Sequence, residues 1–245
     1  MLTQFRIMAG SYEHNLLCLL LVLSETPVFQ PIFHFQAHSL SIKCIDLAKR
    51  YLVTGSNDEH IRIYDLQKRK ELGTLLLHQG TVTTLRFSRE TDAGMAAKNQ
   101  ESPSTVTARD SSGRWLLSGS EDGKIIIWRT KDWEPFATLK GHTEKVSDVD
   151  IHPSGRVAIS VLKDQTVRLW NLMTAKKAAV LKIKGRDHRG EAGEFVRWVN
   201  GGSHFIVGLL NMVLVYHTAT AKCVRKFRFK STLMHMEPVN FDDNE

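Results

Sequence analysis

A turn flanked by two short apolar runs recurs along this chain, and no other feature narrows the possible folds as far. Met8 to Leu19 reads MAGSYEHNLLCL, Val53 to Tyr64 reads VTGSNDEHIRIY, Leu117 to Trp128 reads LSGSEDGKIIIW and Ile159 to Trp170 reads ISVLKDQTVRLW. A looser fifth copy, FIVGLLNMVLVY, runs from Phe205 to Tyr216. Val, Ile, Leu and aromatic residues around a polar centre predict a β-hairpin in each copy. The closing aromatics Tyr64, Trp128, Trp170 and Tyr216 lie 64, 42 and 46 residues apart. The long first interval holds a polar stretch, residues 90–112, with the composition of a surface insertion; without it the spacing falls to about 40.

A His-bearing turn precedes the later hairpins, at His38, His78, Gly141-His142 and His188, and leads into an apolar strand such as VTTLRF or VSDVDI. One further apolar strand follows each hairpin: KELGTLLL, EPFATLK, KAAVLKI and CVRKFRF. Four short strands every 40 to 45 residues or so is the spacing of propeller blades. The predicted fold is therefore all-β, a propeller with five recognisable units in one domain. They cover about 1–37, 38–77, 78–141 with the insertion 90–112, 142–187 and 188–230, followed by a tail at 231–245; the first lacks its inner strand.

Taken together, AGSYEHNLLC, TGSNDEHIRIYDL and HPSGRVAISVLKDQTVRLWNL resemble the WD-repeat family of p21-activated-kinase-interacting proteins and their fungal ribosome-assembly counterparts. The resemblance covers nearly the whole chain. It departs from the pattern in having no Trp-Asp dipeptide, the equivalents being Tyr64-Asp65, Trp128-Arg129, Trp170-Asn171 and Tyr216-His217. It implies a non-enzymatic scaffold in the nucleolus and nucleus that supports large ribosomal subunit and pre-rRNA maturation, with pre-ribosomal proteins as partners. The alternative it implies is a signalling adaptor that binds and restrains a p21-activated kinase. It also implies a seven-bladed ring, so that this chain is expected to be an incomplete one; closure of five units, with Leu2 to Tyr12 near the last, is the other possibility.

Several classes are excluded by simpler observations. The apolar fraction of 42% with 24% charged residues is that of an ordinary globular chain. Cys18, Cys44 and Cys223 form no Cys-x-x-Cys pair and suit a reducing compartment, not a disulfide framework or a zinc site. The longest apolar run, Leu16 to Leu23, is too short to span a membrane, and Ser24-Glu25-Thr26-Pro27 does not resemble a signal-peptide cleavage site. No Walker-type loop, His-Glu-x-x-His or nucleophile elbow occurs, and no cofactor is expected.

Ser or Thr, Asp and His recur together, which invites comparison with a hydrolase triad. The same spacing appears in Thr54/Asp58/Tyr64, Ser118/Asp122/Trp128 and Ser160/Asp164/Trp170, and a constellation repeated per unit is better read as architecture. A buried turn Asp needs partners, and a hydroxyl, an imidazole and an indole would satisfy it. By the resemblance, His78, Ser118, Asp122 and Trp128 form one such set, as do His142, Ser160, Asp164 and Trp170. His38, Thr54, Asp58 and Tyr64 form a variant. Trp133 and Trp198 fall outside these markers and are expected to pack in the core. No single non-repeating cluster of acids, bases or metal ligands is evident for the central channel.

The net charge of +7 directs attention to acidic partners. One end of the predicted blades gathers Lys49, Arg50, Lys68, Arg69, Lys70, Arg114, Lys131, Arg156, Lys176, Lys177 and Lys222, against Glu71, Asp132 and Glu134. The other end mixes Asp58, Glu59, Glu121, Asp122, Glu144, Asp164, Asp187 and Glu191 with Lys124, Lys145, Lys163, Arg186 and Arg189. The first end is thus a candidate surface for RNA phosphates. It lacks interleaved aromatics for reading bases.

Overall fold

The second, third and fourth predicted hairpins are each built on an aspartate that closes its own turn. In a computed structural model that describes residues 3–24, 26–88, 113–141, 144–183 and 190–238, the carboxylates of Asp58, Asp122 and Asp164 accept the backbone N–H two residues on, at 3.1, 2.9 and 2.9 Å. The residue after each Asp has left-handed φ: Glu59 at 70°, Gly123 at 73° and Gln165 at 63°. The outer turns follow the same logic, with Asp65 and Asn171 accepting backbone N–H groups before left-handed Arg69 and Ala175. The insertion 90–112, His142, His188, Arg186, Asp187 and Arg189 lie outside the described residues.

The strands form five antiparallel sheets in chain order. The first has three strands, β1 (Thr3–Gly10), β2 (Asn15–Leu23) and β3 (Val28–Gln36), and lacks the inner one. The second contains β4 (Ile42–Ala48), β5 (Tyr51–Ser56), β6 (Ile61–Asp65) and β7 (Lys70–Leu75). The third contains β8 (Val82–Phe87), β9 (Trp115–Ser120), β10 (Ile125–Arg129) and β11 (Glu134–Leu139). The fourth contains β12 (Val146–Ile151), β13 (Val157–Leu162), β14 (Thr166–Asn171) and β15 (Lys176–Lys182). The fifth contains β16 (Phe195–Val199), β17 (His204–Gly208), β18 (Met212–His217) and β19 (Lys222–Arg228). β4 packs against β8, β8 against β12 and β12 against β16, the succession of blades in a WD propeller. In every sheet the outermost pair carries a bulge, next to Tyr64, Trp128, Trp170 and Tyr216 in the four-stranded sheets and between Cys18 and Leu19 in the first.

Apolar clusters lie between sheets, since each interior sheet buries both faces. Val53, Ile61 and Ile63 of the second meet Val82, Leu85 and Phe87 of the third; Val161 and Val167 of the fourth meet Val196 and Val207 of the fifth. Trp198 is buried against Phe205 and His152, and Trp133 packs edge-on against Tyr51. The outward face of the first sheet carries Phe5, Ile7 and Phe29, all exposed.

Close approach of neighbouring sheets depends on a repeated size match. A Cβ on Gly10 would lie 2.6 Å from Ile42, one on Gly55 2.6 Å from Val82, and one on Gly119 2.8 Å from Val146. At the fourth interface the sizes are exchanged: a Cβ on Gly193 would lie 3.0 Å from Val161. Gly119→Ala is therefore expected to cost about 1–3 kcal/mol by overpacking, with part recovered on adding Val146→Ala. At the fourth interface, Val161→Gly with Gly193→Val is expected to be more stable than Gly193→Val alone. Urea denaturation of the variants checks both.

Candidate functional site

In the third sheet, His78 Nε2 lies 2.8 Å from Ser118 Oγ, and Nδ1 lies 3.3 Å from Asp122 Oδ2. Trp128 Nε1 donates to the same Ser118 Oγ at 2.8 Å. An indole only donates and a carboxylate only accepts, so the polarity of this chain is set from both ends. Ser118 receives from Trp128 and donates to His78 Nε2, which leaves the imidazole proton on Nδ1, facing Asp122. The backbone N–H groups of Gln79 and Lys124 also donate to that carboxylate. Burial pushes His78 below its ordinary 6.5, against the pull of Asp122. Burial raises the Asp122 carboxyl, but the backbone donors and His78 outweigh it and hold it below its ordinary value.

The second sheet repeats part of this arrangement. His38 Nδ1 stands 3.0 Å from Asp58 Oδ2 and Nε2 stands 2.7 Å from Thr54 Oγ1, while Ser39 donates to Asp58 through both its N–H and its hydroxyl. Tyr64 Oη is buried without an aligned hydrogen bond, so a phenol in place of the indole does not complete the chain. Burial again lowers His38, against Asp58.

In the fourth sheet Trp170 Nε1 donates to Ser160 Oγ at 2.9 Å. Asp164 accepts from Arg168 Nη2 at 3.0 Å and from Thr166, and Arg168 Nη1 also donates to the carbonyl of Gly141. Arg168 is a partner that sequence reasoning missed, because Arg62 at the equivalent position pairs with Glu71 instead. Thr54, Ser118 and Ser160 are fully buried, and a hydroxyl that no substrate reaches is no nucleophile.

The inner strands carry a row of charged residues. Asp46, Arg86, Asp150 and Arg197 occupy equivalent positions, opposite Val53, Leu117, Ile159 and Ile206 of the adjoining strands. Asp46 accepts the N–H of Phe87 at 2.6 Å and Asp150 that of Trp198 at 2.8 Å, joining neighbouring inner strands. Asp148 receives Thr84 Oγ1, the N–H groups of Val149 and Val196, and Arg197 Nη1. Burial pushes its carboxyl up to about 7, against the pull of Arg86 and these donors. A perturbed buried acid is a candidate catalytic group. Here the donors come from β8, β12 and β16, so this carboxylate joins three inner strands. From the tail, Glu237 accepts from Arg86 at 3.3 Å and Arg197 at 3.1 Å. The alternating acids and bases at the middle position of IDL, LRF, VDI and VRW were the available signal.

The two ends of the sheets differ in how their cations are engaged. Lys49, Arg50, Lys68, Arg69, Lys70, Arg114, Lys131, Arg156, Lys176, Lys177 and Lys222 are all exposed, at turns or strand ends on one side. Among the described residues only Arg50 of these has an ion-pair partner, Asp65 at 3.3 Å. At the other end Lys124 pairs with Asp122, Lys145 with Glu121 and Lys163 with Glu194. Such surface pairs add little stability, but they decide which end presents unneutralised charge.

Ser118→Ala strands two buried groups, His78 Nε2 and Trp128 Nε1, at about 1–3 kcal/mol each; Thr54→Val strands His38 Nε2 alone. The first substitution is expected to lower the melting temperature more than the second. For pH, unfolded His38 and His78 take up protons below their ordinary 6.5 while the folded imidazoles, with depressed pKa, do not. Their contribution is complete above 6.5 and is lost as pH falls below it. Asp148, with its raised pKa, works in the opposite sense. Subtracting the melting profile of His38→Gln/His78→Gln from that of the wild type cancels Asp148, and the difference is expected to shrink as pH falls below 6.5.

Comparison with known proteins agrees with this architecture. Residues 29–65, 100–129 and 133–171 match the WD domain, G-beta repeat. Protein MAK11 of Saccharomyces cerevisiae is 54% identical over 99% of this chain and 59% of its own length. A p21-activated protein kinase-interacting protein 1-like protein of Gallus gallus is 35% identical over 88% of this chain and 50% of its own length. The p21-activated protein kinase-interacting protein 1 of Homo sapiens is 35% identical over 77% of this chain and 41% of its own length. The chain thus spans from two fifths to three fifths of these relatives, whose names describe no enzyme. With its repeated hairpins, its turn aspartates and these relatives, the chain is a WD-repeat protein homologous to the p21-activated-protein-kinase-interacting protein 1 family.

Proposed function

We propose that the chain is a non-enzymatic scaffold for large ribosomal subunit maturation, working in the nucleolus among pre-ribosomal proteins, with its basic end laid against pre-rRNA phosphates. The observation that carries this reading is the contrast in cation engagement: among the described residues, ten of the eleven exposed Lys and Arg named above have no ion-pair partner, although Arg129 pairs with Asp132 at the same end, and at the other end Lys124, Lys145 and Lys163 pair with acids. Unpaired cations spread over successive sheets suit a phosphate backbone, where each neutralised phosphate releases counterions. The sequence resemblance to fungal ribosome-assembly factors supports the assignment. No helix of the described residues is long and apolar enough to cross a membrane.

A second reading is favoured by the relatives named for interaction with p21-activated protein kinase: an adaptor that binds and restrains such a kinase. Affinity purification after nuclease treatment separates the two. Retention of pre-ribosomal proteins supports the scaffold, and retention of a kinase without them supports the adaptor.

Reversing Lys131, Lys176, Lys177 and Lys222 to Glu is expected to weaken binding to an rRNA fragment. The slope of log K against log salt should fall by roughly 0.7–0.9 for each phosphate that is no longer neutralised. Stability should stay within about 0.5 kcal/mol of wild type, as for surface sites generally. Equal binding by both proteins across the salt series counts against the basic end as an RNA surface.

A further inference from the structure

The interface between the first two sheets contains a cavity that the next interface fills. Arg69, Trp133, Ala175 and Ala221 occupy the same place in successive outer turns, five residues after the closing aromatic, with φ of 54°, 60°, 53° and 51°. Arg6, Tyr51, Trp115 and Val157 are likewise equivalent, each standing one residue before the partner of the bulged position in the neighbouring strand. Between the second and third sheets, the Trp133 ring lies 5.3 Å from Tyr51 and 6.4 Å from Phe87, wedging the space shut. Between the first and second, both positions are arginine. Two like charges do not close together as an aromatic pair does, and a cavity of about 390 Å³ remains, lined by both arginines.

Its walls are Met8, Leu16, Phe33, Leu52 and Tyr64, and its mouth carries Lys70 beside Arg6 and Arg69. The acids there are already engaged. Asp65 Oδ1 accepts the N–H groups of Gln67 and Lys68, and Arg50 Nε stands 3.3 Å from Oδ2 without the alignment of a hydrogen bond. Glu71 pairs with Arg62. Arg6, Arg69 and Lys70 have no ion-pair partner among the described residues. Phe35 at the opening is 39% exposed and Ile32 46%. An apolar hollow with unmatched positive charge at its lip is complementary to a large apolar side chain flanked by carboxylates.

We propose that the cavity between the first two sheets docks an acidic segment of a partner protein, which inserts a bulky apolar side chain between Met8, Leu16 and Leu52 while its carboxylates meet Arg6 and Arg69. A nucleobase suits the hollow less well. Phe33, Phe35 and Tyr64 are packed against one another, with Phe33–Phe35 and Phe35–Tyr64 ring contacts that use the faces a base would stack on, and Met8, Leu16 and Leu52 offer no hydrogen bond to its polar edge. The cavity shares Arg69 and Lys70 with the wider basic end of the RNA reading, while Arg6 belongs to the cavity alone.

The test uses the whole chain and a fluorescein-labelled peptide with one phenylalanine flanked on each side by two acidic residues, read by fluorescence anisotropy. Controls are the same peptide with alanine for phenylalanine and a uridine oligonucleotide. Arg69→Trp fills the hollow with the side chain that the chain already carries at Trp133 in the same backbone conformation. Arg6→Glu reverses a charge at the lip and leaves the walls alone. Saturable peptide binding is expected, at least tenfold weaker for either variant and for the alanine peptide, with unchanged melting temperatures. Arg6→Glu, at a position outside the basic end, should barely alter oligonucleotide binding, whereas the Lys131/Lys176/Lys177/Lys222 reversal should weaken it and leave the peptide bound. The proposal is overturned by absence of saturable peptide binding up to about 1 mM, by equal binding of the phenylalanine and alanine peptides, or by peptide binding that neither variant alters. It is also overturned if Arg6→Glu abolishes oligonucleotide binding instead.

Discussion

Where the second-from-centre strand of one sheet crosses the inner strand of the next, a residue without a side chain faces a β-branched one, and the distance between sheets follows from that contact. Gly10 faces Ile42, Gly55 faces Val82 and Gly119 faces Val146, and Gly193 faces Val161 with the sizes exchanged. The exchange is informative, because the requirement is on the sum of two volumes and either side can supply the space. Once the strands are this close, carboxylates on inner strands reach the backbone of the neighbour, as Asp46 reaches Phe87 and Asp150 reaches Trp198. Apolar clusters then close on both faces of each interior sheet.

The polar sets rest on that packing and show why a triad-like constellation need not be catalytic. Ser118 is held between Trp128, which only donates, and His78, whose other nitrogen faces Asp122. In a hydrolase the hydroxyl is the exposed end of such a chain. Here it is the middle, enclosed on both sides, and the carboxylate end fastens a hairpin turn instead.

What was legible in the sequence was whatever repeats. The hairpins around Asp58, Asp122 and Asp164 could be aligned because one side chain serves both turn and core, so its spacing is preserved. Departures from the repeat were harder to see. Arg168 takes up Asp164 from within its own strand, and no pattern distinguishes it in advance from Arg62, which turns to Glu71. The charged residues of the inner strands read as ordinary alternation until the strands are brought side by side. Glu237 joins them from a tail with no repeat to compare it with. The hollow by Arg6 and Arg69 is visible only by comparing two interfaces, since each arginine alone is an unexceptional surface residue.

The alternation of Asp46, Arg86, Asp150 and Arg197 around the inner strands bears on assembly itself. A ring of identical repeats has no means of distinguishing a neighbour from a next-neighbour, or its own strand from the same strand of another molecule. Here each inner strand attracts the one that follows it in the chain and repels the one after that. Skipping a unit during folding would set Asp against Asp or Arg against Arg at a poorly hydrated site, where like charges are costly. The four positions thus mark alternate repeats with opposite charge, which favours docking each unit against the next over docking it against the next but one.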